Sequence, residues 1–226
     1  MKKRFAALLL TLSFAFSLAV VPASAKSEET QKPVVVQTIK STPETEKELI
    51  EKFNLKKPSP DAKLNSIRII EDKSYNYRED RQITPNFQIN GYVFEETGRG
   101  TLHGSTPIVE TRYFCSKPSG CKSQAELQAN SSVAHQFSAT FGGEYNSVIS
   151  AAVGYNVTDS TGVAATLVLQ EDNIPYNKTW ICQGYAVHNY ITFNLYKEFL
   201  GIKSKLGSGT TTKPIPNRIV ATDWFQ

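Results

Sequence analysis

From Leu127 to Phe141 the odd positions read Leu, Ala, Ser, Val, His, Phe, Ala and Phe. The even positions from Glu126 to Thr140 read Glu, Gln, Asn, Ser, Ala, Gln, Ser and Thr. Strict alternation of this length gives one apolar and one wet face, which specifies a long, half-buried β-strand. After a turn at Gly142-Gly143, Ile149, Ala151, Val153, Tyr155 and Val157 continue the pattern. After Asp159-Ser160-Thr161-Gly162, so do Val163, Ala165, Leu167 and Leu169. Linkers this short leave no room for a crossover, so a three-stranded antiparallel meander is expected. A helical turn over Ser147–Val153 competes for the middle segment, because an Ala-rich run permits it.

The same region contains no Lys or Arg from Ser123 to Asn177, although the chain has 25 of them. Two readings follow. In one, 127–169 is the core meander of a soluble β-sandwich with a hydroxyl-rich outer face. In the other, it is a hairpin that leaves a soluble body and joins a membrane barrel, apolar side to lipid and polar side to lumen. Soluble β proteins alternate too, and the first reading leads.

Elsewhere β-branched and aromatic runs separated by Gly, Pro, Asn and Asp mark Asn65–Glu71, Phe87–Phe94, Ile108–Cys115 and the long Thr179–Phe199 as strands. The last is expected to be divided near Gly184 or to belong to an elongated domain. The fold class is therefore all-β and mostly antiparallel, sandwich-like or elongated, over residues 64–226. Residues 26–63, rich in Lys, Glu and Pro, read as a charged flexible leader with one short helix at 43–54. Thr42 is its N-cap, Pro43 its first residue, and Leu49, Ile50 and Phe53 its docking face.

Met1 to Ala25 has a basic start, an apolar run from Phe5 to Val21 and Pro22-Ala23-Ser24-Ala25, the pattern of a signal peptide cut between Ala25 and Lys26. A secreted protein is expected, from a Gram-positive type of source. Removing Lys2, Lys3 and Arg4 brings the 25 basic residues close to the 21 acidic ones. That balance offers no basis for nucleic-acid binding.

Export allows disulfides. Cys115 and Cys121 flank a Pro-Ser-Gly reversal that brings them within bridging range, with a reduced pair as the alternative. Cys182 reads as a small buried apolar side chain. Cys182 and His188 share a face of one β run but lie six residues apart, too far for a nucleophile–base pair. His135 sits on an apolar strand face, and His103 in a Gly98–Gly104 loop. Neighbouring acids such as Glu95-Glu96 and Glu171-Asp172 point to opposite faces, so they do not form acid–base pairs. No catalytic residue, cofactor or metal set is expected.

Residues Val148 to Thr161, Trp180 to Tyr196, and the tail Gly207-Ser-Gly with Lys213-Pro214-Ile215 resemble segments of an uncharacterised family of secreted, β-rich Gram-positive proteins. The resemblance runs from about Ala125 to the C-terminus. It implies export and a β-rich fold and carries no activity. In pattern, the alternating hairpin is also similar to those of aerolysin-like pore formers. The leading expectation is a non-enzymatic extracellular interaction module, acting on a protein, glycan or membrane surface through exposed aromatics such as Tyr75, Tyr77 and Tyr92. The alternative is a pore-forming protein using 127–169.

Overall fold

The computed structural model describes residues 34–71 and 87–226. The expected signal peptide and its expected cut between Ala25 and Lys26, the start of the leader, and Tyr75 and Tyr77 lie outside the described residues.

Two long strands form the spine. β9 (Thr179–Phe199) and β10 (Ile202–Phe225) pair antiparallel from the Leu200-Gly201 turn down to Phe225↔Trp180. β9 is not divided at Gly184: its 21 residues run unbroken, about 70 Å at 3.3 Å per residue. On the outer side of β10 lie β2 (Lys63–Glu71) and then β1 (Val34–Lys40). On the outer side of β9 lie β4 (Tyr92–His103) and then β3 (Phe87–Ile89). β5 (Val109–Phe114) continues the edge of β9 below β4, through Val109↔Gly184 to Phe114↔Thr179. The Gly98–His103 stretch expected as a loop is strand, with Arg99 opposite Ile191 and His103 opposite Val187.

The sheet has a waist. β10 breaks register between Pro214 and Ile219, opposite Ala186–His188 of β9. At the same height the chain leaves β9 between His103 and Val109. Pro214 and Pro216 have no N–H to give, and a bulge is where a strand accommodates that. Below the waist β10 pairs with β2; above it, with the short β7 (Gln136–Ala139).

The remaining strands, β6 (Cys121–Ala134) and β8 (Ser160–Ile174), form a separate two-stranded ribbon. It packs on the lower half of the sheet through Leu127, Ala129, Val163, Ala165, Leu167 and Leu169, against Trp180, Ala186, Ile219 and Ala221. On the opposite face α1 (Glu46–Lys52) buries Leu49 with Ile67, Tyr185 and Trp224. Glu46 fixes α1, accepting from Lys57 Nζ at 2.8 Å and from the Leu64 amide at 3.2 Å.

Three expectations are corrected. From Val34 the leader is part of the body, as an edge strand and a docked helix. Thr42 still accepts from the Thr45 amide, but the α-helix begins only at Glu46. Phe87–Phe94 is two strands, because Asn90 and Gly91, at φ 49° and 77°, make a two-residue turn. The middle strand of the meander is a helix, α2 (Asn146–Val153), preceded by a 3₁₀ turn at Gly143–Tyr145. Its buried residues Ile149, Ala152 and Val153 follow the i, i+3, i+4 spacing of a helix, and Gly154 ends it at φ 78°. Ala151, which the alternation placed inward, is exposed.

Where β2, β9 and β10 meet, a single carboxylate is fully buried. Asp223 accepts from Ser66 Oγ, from Asn65 Nδ2 at 2.8 Å and from Trp180 Nε1 at 3.3 Å. The Arg68 guanidinium stands 3.9 Å away. Replacing Asp223 by Ala strands these donors in the core, so chemical denaturation is expected to show a loss of about 3 kcal/mol.

Candidate membrane-insertion hairpin

The ribbon has the side-chain directions that its sequence dictates. In β6 the buried positions are Cys121, Ala125, Leu127 and Ala129; in β8 they are Val163, Ala165, Leu167, Leu169 and Ile174. Between them Gln124, Glu126, Gln128, Asn130 and Ser132 face outward, as do Ala164, Val168 and Gln170. The register Glu126↔Val168, Leu127↔Leu167 and Ala129↔Ala165 keeps each face uniform across both strands. Among the described residues, β6 and β8 form ladders only with each other, so each strand carries an open edge.

The two ends are held differently. At the base, Cys115 and Cys121 form the expected disulfide, S–S 2.07 Å with Cα atoms 5.7 Å apart. It ties the start of β6 to the end of β5, and Asn65 Nδ2 reaches Glu171 of β8 at 3.1 Å. At the far end, β7 pairs with Gly209–Thr212 of β10. Tyr155 Oη lies 3.1 Å from Thr211 Oγ1, and Lys213 Nζ stands 5.3 Å over the Tyr155 ring. α2 and the turn before it cover Phe94, Ile191, Phe193 and Leu195 of the upper sheet, with Phe137 and Phe141 packed alongside. His135, between β6 and β7, bonds Asn156 O and Thr161 Oγ1, both at 2.7 Å. It closes the hairpin on itself rather than onto the body.

The waist holds two histidines that lack satisfied partners. His188 is 3% exposed and neither ring nitrogen has a hydrogen-bond partner; His103 Nδ1 is likewise buried and unpartnered. Burial pushes the His188 pKa below its ordinary value. The Ala186 carbonyl offsets this in part, and the fields of His103 and His135 add to it. Burial also lowers His103, whose ring stacks on Phe53 at 5.4 Å. His103, Phe53, Val36, Ile69, Leu102 and Val220 line a groove of about 520 Å³ on the α1 side.

The remaining sequence candidates are dispersed. Cys182 is a buried free thiol opposite Asp223, and its pKa is raised by burial and by that carboxylate. His188 lies six residues along β9, about 20 Å away. Tyr92 is half-buried, edge-on to Tyr145 at 5.6 Å, so it packs on the 3₁₀ turn. Among the described residues no group of His, Cys, Asp and Glu is disposed to hold a metal. The Phe199–Ile202 tip is marked in the sequence only by the apolar dipeptide Phe199-Leu200 before Gly201. No known protein family, curated protein or solved structure matches the chain.

Neutral His188 and His103 in the fold give a definite pH dependence. The unfolded chain binds protons first, so stability is complete above the ordinary histidine value of about 6.5. It falls as the pH drops below that and levels off under the lowered folded values. Thermal melts between about pH 7.5 and 5 are expected to show the decline, and His188→Gln to flatten it.

Proposed function

We propose that this chain is an exported pore-forming protein and that β6 and β8 are its membrane-spanning hairpin. The observation that carries the reading is the ribbon's independence: among the described residues its strands form ladders only with each other, it is amphipathic along its length, and beyond its tied base it meets the body by face packing. β6 has 14 residues and β8 has 15, each enough for the roughly 9–11 that a tilted strand needs to span a bilayer. Ala125, Leu127, Ala129, Val133, Val163, Ala165, Leu167 and Leu169 would exchange the sheet for lipid. Gln128, Asn130, Ser132, Thr166 and Gln170 would face the lumen. The open edges of the ribbon supply the pairing groups through which hairpins of neighbouring copies close a barrel.

Release requires β7 to leave β10. Ser138 and Thr210 are cross-strand partners, so Ser138→Cys with Thr210→Cys places a removable bolt there. The oxidised double variant is expected to leak no dye from liposomes, with leakage restored by reductant. Equal leakage with the bolt closed, or neither leakage nor oligomers from the wild type on any lipid, would falsify the proposal. Glu126 is an exposed acid in the outward row of β6, between Gln124 and Gln128, so in the barrel it too would face the lumen. Reversal potentials in planar bilayers are therefore expected to show cation selectivity, and Glu126→Lys to invert it.

A second reading, a secreted module that binds without inserting, is supported by the apolar groove beside His103 and Phe53. It predicts a protein indifferent to the Ser138–Thr210 bolt.

A further inference from the structure

The spine hairpin ends in an apolar point. Phe199, Leu200 and Ile202 are 71%, 85% and 70% exposed, the most exposed large apolar side chains among the described residues. Phe199 and Ile202 pair across the strands, and Leu200-Gly201 forms the two-residue turn between them.

The turn itself shows that leucine here is not a neutral choice. Leu200 and Gly201 have φ 50° and 79°, the geometry of a turn whose first central residue is normally Asn, Asp or Gly. A leucine held at positive φ meets its own carbonyl and is disfavoured. The neighbouring hairpin is an internal control. Its turn, with Asn90 and Gly91 at φ 49° and 77°, has the favoured pair in the same geometry. The two turns lie side by side, the Glu198 amide donating to Gly91 O at 2.7 Å. One backbone solution thus occurs twice, and only at the protruding copy does an apolar side chain replace the residue the turn prefers.

Behind the tip, Lys197, Lys203 and Lys205 are exposed, and within the hairpin segment 197–205 Glu198 is the one acid. Three exposed side chains offer on the order of 400 Å² of apolar surface, about half of what one partner contributes to a stable protein interface. The tip is also the narrow end of a two-stranded hairpin, and its positive charge repels a second copy of itself. A shallow apolar wedge with a lysine collar matches a bilayer surface, with acyl chains for the wedge and anionic headgroups for the collar.

We infer that the Phe199–Ile202 tip is a docking element that inserts into the interface of anionic bilayers. This holds apart from hairpin release, and the test keeps the two distinct. Binding is measured by flotation with phosphatidylglycerol/phosphatidylcholine vesicles, using the oxidised Ser138→Cys, Thr210→Cys protein, which docks but cannot open. Binding is expected, weakened by added salt, and reduced about tenfold or more by Leu200→Asn. That variant supplies the residue the turn favours, so its thermal midpoint is expected to be unchanged or higher, which separates lost docking from lost folding. Equal binding by Leu200→Asn would overturn the inference. So would a drop in solution oligomerisation in that variant with vesicle binding intact, since the tip would then serve self-association. Leucine-dependent binding by a wild type that never leaks would leave the tip standing and remove the pore.

Discussion

The ladder between β9 and β10 is the constraint on which the rest of the molecule depends. Its register starts at the two-residue turn and is reset twice, between Lys205 and Gly207 and again at the waist, before Phe225 meets Trp180. Every other element of the sheet is placed by it. β4 and β5 lie in succession along one side of β9, and β7 and β2 along one side of β10. Because a strand sends successive side chains to opposite faces, one run also builds two cores. Trp180, Cys182 and Ala186 go under the ribbon, while Ile181, Tyr185 and Val187 go under α1. A slip of one residue would exchange these sets, and the buried Asp223 would lose Ser66 and Trp180 together.

The ribbon obeys the same rule with a different consequence. A face of Ala, Val and Leu suits the underside of a sheet and the inside of a bilayer equally well, so the physics that buries it in the body does not forbid the other environment. Its contact residues include three alanines, Ala125, Ala129 and Ala165. Small side chains lose little apolar contact on separation, compared with the Leu and Phe of an ordinary core. The restraints are unequal as well. The base is held by a covalent bond at Cys115–Cys121, the far end by the short ladder of β7 and a few polar contacts. The proposed release would therefore begin at the far end and leave the base attached.

What could be read from residues alone divides along physical lines. Alternation over Leu127–Phe141 was legible because both neighbours of each residue agree with it, and the structure buries or exposes those positions accordingly, but it divides the expected single strand at His135 into β6 and β7, which belong to different sheets. The Cys115–Cys121 bridge was legible because five intervening residues with Pro118 and Gly120 leave the chain few ways to turn. α2 was obscured by a coincidence of periods: Ile149 and Val153 fit both a two-residue and a four-residue repeat, and only Ala151 and Ala152 distinguish them. β10 was missed because Gly207, Gly209, Pro214 and Pro216 are strand-breaking residues. They are tolerated at the register shifts near Gly207 and at the waist, where partners change. The ordering of Val34–Lys40 depends on the edge of β2, a partner that composition does not reveal.

Residues that break local rules are informative because neighbouring structure must offset them. Here they lie along one strand and its turn. His188 is buried at the waist with two unpartnered nitrogens, where both flanking ladders are interrupted. Leu200 sits at positive φ at the tip. Neither helps the sheet: an apolar residue at the waist and an asparagine at the turn would each satisfy the backbone and the core better. A chain that only had to form this sheet would gain stability from both replacements. Their presence is accounted for if the tip has to meet an apolar medium and the waist has to let the elements beside it part, which are the two demands that docking and hairpin release place on one spine.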